Sequence, residues 1–141
     1  MSCSVNGIIA FGAPLGDQDD CRIIEHMLDE EGYPDLGEFL LKTFDPDVAL
    51  NPDWEVQYRR RSVLEEECPV EIIHHGHYEF PRYFLAWKES VTEQRSYVRT
   101  RLTSKTLEMG PYEKSKMSEW IKKLRLPEDL ELGWSLMSWY G

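Results

Sequence analysis

Several protein classes leave marks that this chain lacks. Its 141 residues include three cysteines, Cys3, Cys21 and Cys68, an odd number without C-x-x-C spacing. That argues against a disulfide framework or a zinc ribbon and fits reduced thiols in a cytoplasm. No run approaches the ~18 apolar residues of a membrane span, and no basic stretch followed by an apolar one opens the sequence as a secretion signal would. The G-x-S-x-G elbow of a nucleophilic serine is missing. Gly12-Ala13-Pro14-Leu15-Gly16 carries two glycines but also a proline. No Lys-Ser/Thr follows, and aspartates stand where a phosphate would bind, so the stretch is no phosphate cradle. Internal repeats and low-complexity tracts are absent too. A soluble cytoplasmic protein with no cofactor and a single domain over residues 1–141 is expected.

The scarcity with most consequence is of bases in one part of the chain. Residues 1–58 hold 13 acids against two bases, Arg22 and Lys42, a balance of −11. Residues 59–141 hold 13 acids against 14 bases, so the net charge of −10 is carried by the first part. Such a block repels nucleic-acid phosphates and attracts basic protein surfaces, with steering that salt weakens. The plainer reading is a solvated acidic face that keeps a small protein soluble.

What is present reads as an α+β chain. Residues 4–12 are short, apolar and β-branched, and Gly12 and Pro14 end them, which predicts a buried strand. Asp17 and Asp19 can cap a helix over about 20–31 with Ile23, Ile24, Met27 and Leu28 on one stripe, and Gly32 stops it. A second helix is expected over 34–43, with Phe39, Leu40 and Phe44 toward the core. Residues 45–53 read as a surface loop. In residues 54–64, Trp54, Val56 and Tyr58 alternate as a strand would. Arg59-Arg60-Arg61 then interrupts, with Glu65-Glu66-Glu67 near enough to neutralise the arginines, which suits a polar surface segment.

Residues 70–75 and 83–87 predict an antiparallel hairpin with a loop longer than two residues. Residues 97–102 suggest an edge strand guarded by alternating arginines. A helix follows over 112–124, with Met117, Trp120, Ile121 and Leu124 on one face and cations in its last turn. The closing run, 132–140, is apolar on both faces. The expected architecture is a single mixed or antiparallel sheet of four or five strands. Its N- and C-terminal strands are central, and about three helices pack mainly on one face.

Three blocks of the chain carry a resemblance. They are Gly7-Ile8-Ile9-Ala10-Phe11-Gly12, Tyr83-Phe84-Leu85-Ala86-Trp87-Lys88-Glu89-Ser90 and Gly133-Trp134-Ser135-Leu136-Met137-Ser138-Trp139-Tyr140-Gly141. Together they resemble small accessory proteins encoded by tailed bacteriophages. The resemblance implies a compact phage protein of the host-takeover or defence-inhibitor type, working in the host cytoplasm, and it brings no catalytic motif.

Two constellations invite a function. His75 and His77 at i, i+2, with Glu79 beyond, would project from one face of a strand and could ligate a metal. Three ligands cannot converge from one strand, however, because i and i+4 lie roughly 13 Å apart. The other constellation is Asp45, Asp47, Asp53, Trp54 and Glu55, where an aromatic residue without a periodic partner sits inside a Pro-rich acidic stretch. Trp54 is the candidate apolar anchor of an interface, with the carboxylates around it. Arg59-Arg60-Arg61 beside Trp54 and Tyr58 could instead contact phosphates and stack on bases, but the flanking glutamates and the acidic block oppose that. The leading expectation is a non-enzymatic acidic protein that binds a host protein with a basic surface, with no direct nucleic acid and no membrane. A metal-dependent hydrolase or nuclease built on the histidine hairpin is one alternative, and a phage structural or assembly component another.

Overall fold

Strand β1 (Val5–Asp17) runs past the stop that its own glycine and proline suggest. A Cβ on Gly12 would fall inside the Leu85 carbonyl, so this glycine allows two backbones to approach closely rather than turning the chain. Further along, the register shifts between Pro14 and Gly16, and Gly16 adopts φ 103°, as an irregularity in a strand pair requires. The computed structural model describes residues 5–17, 22–77, 79–94, 102–103 and 107–140. The chain divides into two compact units, residues 1–23 with 70–141, and residues 24–69.

The first unit is built on one sheet. Strands β2 (Val70–His77) and β3 (Phe80–Trp87) form the expected hairpin, and their ladder continues to His77 opposite Phe80. Only positions 78 and 79 separate the strands, fewer than the sequence suggests, because Gly76 at φ 83° stays within the ladder instead of opening the loop. A 3-10 turn (Lys88–Ser90) leads to β4 (Thr92–Gln94). Helix α4 (Pro111–Lys123) and strand β5 (Gly133–Tyr140) complete the unit.

The strand order is β3-β2-β5-β1-β4, with a further β3–β1 pairing that curls the sheet into a half-barrel. All pairings are antiparallel except for two residues, Gly76 and His77, which run parallel to Trp139 and Tyr140. The chain is therefore α+β, with its N- and C-terminal strands adjacent and interior. Ile8, Ala10, Phe84, Ala86 and Met137 form the core of the sheet, with Ile73 and Val91 packed against it. Cross-strand neighbours share a face, so the register sets this cluster directly: Ile8 faces Met137.

The double-sided burial expected of the closing run holds for only part of it. Leu136 is 76% exposed, so the outer face of β5 is open there. Nearby, Trp134 is half-buried and meets Phe11 edge-on at 5.6 Å. Helix α4 matches its expectation, with Met117 and Ile121 buried and Leu124 buried just beyond. Trp120 is half-buried beneath Lys123, whose Nζ lies 4.7 Å from the ring centre. The helix stops where Arg125 takes a left-handed φ of 54°, before Pro127. Of the expected strand at 97–102, positions 97–101 lie outside the described residues and Leu102 is in no strand.

The second unit is helical. The helix expected over 20–31 is a 3-10 helix (Arg22–Met27), with residues 20 and 21, like the proposed cap Asp19, outside the described residues. It is short because its later acids make a turn. The Asp29 carboxylate accepts from the amides of Glu31 and Tyr33, both at 2.9 Å, and Gly32 takes φ 86°. Helix α1 (Leu36–Phe44) starts at Asp35, whose carboxylate accepts from the Glu38 amide at 3.0 Å. It buries Phe39 and Leu40 as expected, whereas Phe44 is 43% exposed.

Inside the expected loop lies a four-residue helix, α2 (Pro46–Ala49). The largest departure is α3 (Trp54–Glu67), a 14-residue helix where alternation suggests a strand and then a polar segment. Asp53 caps it by accepting from the Glu55 amide at 3.0 Å, and its i, i+4 pairs, Trp54–Tyr58 and Arg61–Glu65, suit helical spacing. Among the described residues α1, α2, α3 and α4 make four α-helices beside the sheet, where about three are expected. No helix among the described residues is long and apolar enough to cross a membrane.

Candidate interaction surface

The helical unit, residues 24–69, holds 13 acids against four bases, so it carries −9 of the chain's −10. Its three arginines lie on α3, and two of them are committed locally. Arg60 Nε donates to Asp45 Oδ2 at 2.9 Å. Arg61 Nη2 reaches Asp35 Oδ1 at 2.6 Å and its Nε reaches Glu65 Oε1 at 3.1 Å. These contacts tie α3 to the start of α1 and of α2, and Gly37 leaves the room in which the Arg61 and Glu65 side chains sit. Arg59 is exposed and forms no ion pair among the described residues. The arginine run therefore holds the helices together more than it presents phosphate contacts.

The corner between α2 and α3 is fixed by Gln57, whose amide donates to the carbonyl oxygens of Ala49 and Asn51. Asn51 in turn accepts from the Asp53 amide at 2.8 Å. On this corner Leu50 is 84% exposed, Trp54 71% and Tyr58 63%. Trp54 and Tyr58 are one helical turn apart, with ring centres 6.4 Å apart and planes at 66°. Helix α3 buries only Leu64. Leu50, Trp54, Val56 and Tyr58 are thus all exposed within nine residues.

Of the residues selected from sequence, Asp47, Trp54 and Glu55 are exposed on this corner. Asp45 and Asp53 do structural work there, one as the partner of Arg60 and the other as the α3 cap. Leu50 is an addition that sequence reasoning missed, and Tyr58, which the sequence suggests only for base stacking, pairs with Trp54. An N-cap reading of Asp53 puts Trp54 and Tyr58 at i, i+4 on one face, and that was the available signal.

The histidines do not converge. His75 is half-buried opposite Arg82. Burial, then the Arg82 guanidinium and His74, hold its pKa below the ordinary value. His77 is the last residue of β2, and its Nδ1 accepts from the Glu79 amide at 3.1 Å. Glu79 is in the turn, not on the strand, so the three side chains do not share a strand face. Among the described residues, no group of three or more His, Cys, Asp or Glu side chains could hold a metal ion. Compared with protein-family models, curated proteins and solved structures, the chain matches none.

Proposed function

We propose that this chain is a non-enzymatic binding protein whose acidic helical unit occupies a basic surface of another protein. In the phage-accessory reading, that partner is a host protein that handles nucleic acid or serves in defence, and occupancy inhibits it. The observation that carries the proposal is the exposed Leu50, Trp54 and Tyr58 set within the segment that holds nearly all the net charge. Interfaces draw their energy from a few buried aromatic anchors and their encounter rate from complementary charge. The α2–α3 corner offers both, with Asp47 and Glu55 as the exposed carboxylates.

The test is association kinetics with a partner captured from host lysate, at two ionic strengths. Asp47→Asn with Glu55→Gln removes two charges while leaving the Asp53 cap and the Asp45–Arg60 pair intact. This pair of changes should slow association and flatten its salt dependence. Trp54→Ala should speed dissociation by a factor equivalent to about 2 kcal/mol. An association rate that the charge changes do not alter would leave the acidic unit as a solvated face only.

A further inference from the structure

We infer that the Trp54–Tyr58 pair receives an arginine side chain of the partner. The inference rests on the proposed acidic docking and names the group that docking delivers. Two aromatic rings at 66° with centres 6.4 Å apart make two walls of an angular notch, and each ring is mostly in solvent. An edge-to-face contact uses one face of one ring, so electron-rich faces remain open to a cation.

At two other rings the chain sets its own cation over a face. Lys116 lies 5.8 Å from the Tyr112 ring centre and Lys123 lies 4.7 Å from that of Trp120. No described cation lies over Trp54 or Tyr58. Arg59 follows Tyr58 but projects about 100° further round the helix. The unit that carries the rings sums to −9, which adds long-range attraction for a cation and none for an apolar plug.

Arginine suits this notch better than lysine. Its guanidinium is planar and weakly hydrated, so it stacks on an indole and still donates hydrogen bonds in its plane to a neighbouring carboxylate. A lysine ammonium holds its water more strongly and offers no flat face. An apolar side chain would gain the ring contact alone and leave the unit's negative charge unmatched.

The probes are nine-residue all-arginine and all-lysine peptides of equal charge, titrated against the full chain at low salt. Affinity is followed calorimetrically, and the Trp54 indole N–H by NMR. The expected result is a saturable shift of that N–H and about five-fold tighter binding of the arginine peptide. Trp54→Leu should remove the preference, whereas Trp54→Phe, which keeps a ring face, should retain part of it. Equal affinities with no shift at Trp54 would overturn the inference while leaving acidic docking in place. A preference that survives Trp54→Leu would also overturn it. Failure of both peptides to bind would count against the docking proposal as well as the notch.

Discussion

The amide of Phe11 donates to the Ser90 hydroxyl at 2.8 Å across 79 residues of chain. That bond falls where one edge of β1 changes partner. Gly7 to Ile9 pair with β4, and Gly12 to Asp17 pair with β3. Between those stretches that edge has no strand partner among the described residues, and the 3-10 turn joining β3 to β4 places Ser90 there instead. Its hydroxyl also donates to the Trp87 carbonyl at 2.7 Å, so one buried side chain bridges the interruption. Ser90→Ala should lower unfolding free energy by about 1–3 kcal/mol, because it leaves a buried amide without its acceptor. Urea denaturation reads this directly, and a loss under about 0.5 kcal/mol, the scale of an ordinary surface change, would assign the bridge no role.

Gly12 and Gly7 make a controlled pair on the same strand. A Cβ at Gly12 meets the Leu85 backbone, whereas one at Gly7 has nothing within 4 Å. Gly12→Ala should therefore force β1 away from β3 and destabilise the protein by about 3 kcal/mol or more, while Gly7→Ala stays within about 1 kcal/mol. Thermal melts of the two variants, side by side, check the difference.

Two half-buried titratable groups give opposite pH dependences. His75 has a lowered pKa, so the unfolded chain takes up its proton first as pH falls below about 6.5. Stability contributed by neutral His75 is then lost until the folded value is passed. His75→Gln should flatten the fall in stability as pH drops below about 6.5. Glu71 has a raised pKa, through burial and the nearby Glu93, against the opposing effect of Lys88. The folded state holds that proton longer, so stability falls as pH rises from about 4.5 through the raised value. Glu71→Gln should raise the melting temperature at pH 7 and change it less at pH 4.

Periodicity made much of this protein legible. The runs around Ile8, Phe84 and Met117 were recognisable because burying an apolar face is a local demand that repeats at two or 3.6 residues. That both terminal strands belong inside one sheet followed from the same demand. Trp54 stood out as an unpartnered aromatic in an acidic stretch, and it is exposed.

Where the decisive contact is distant in sequence, local reading failed. Gly12 and Pro14 look like a stop in isolation, and only the approach of Leu85 shows that the glycine keeps the strand going. Residues 54–67 alternate weakly and carry clustered charge, so neither period dominates. Their helix is settled by the Asp53 cap and by the attachment of Arg60 and Arg61 to Asp45 and Asp35, 15 and 26 residues away. Those attachments also decide which carboxylates stay uncommitted at the surface, because a carboxylate engaged in an ion pair or a cap is held inside its own fold. Composition set the sign and the location of the charge; tertiary contacts alone divided it between structure and surface.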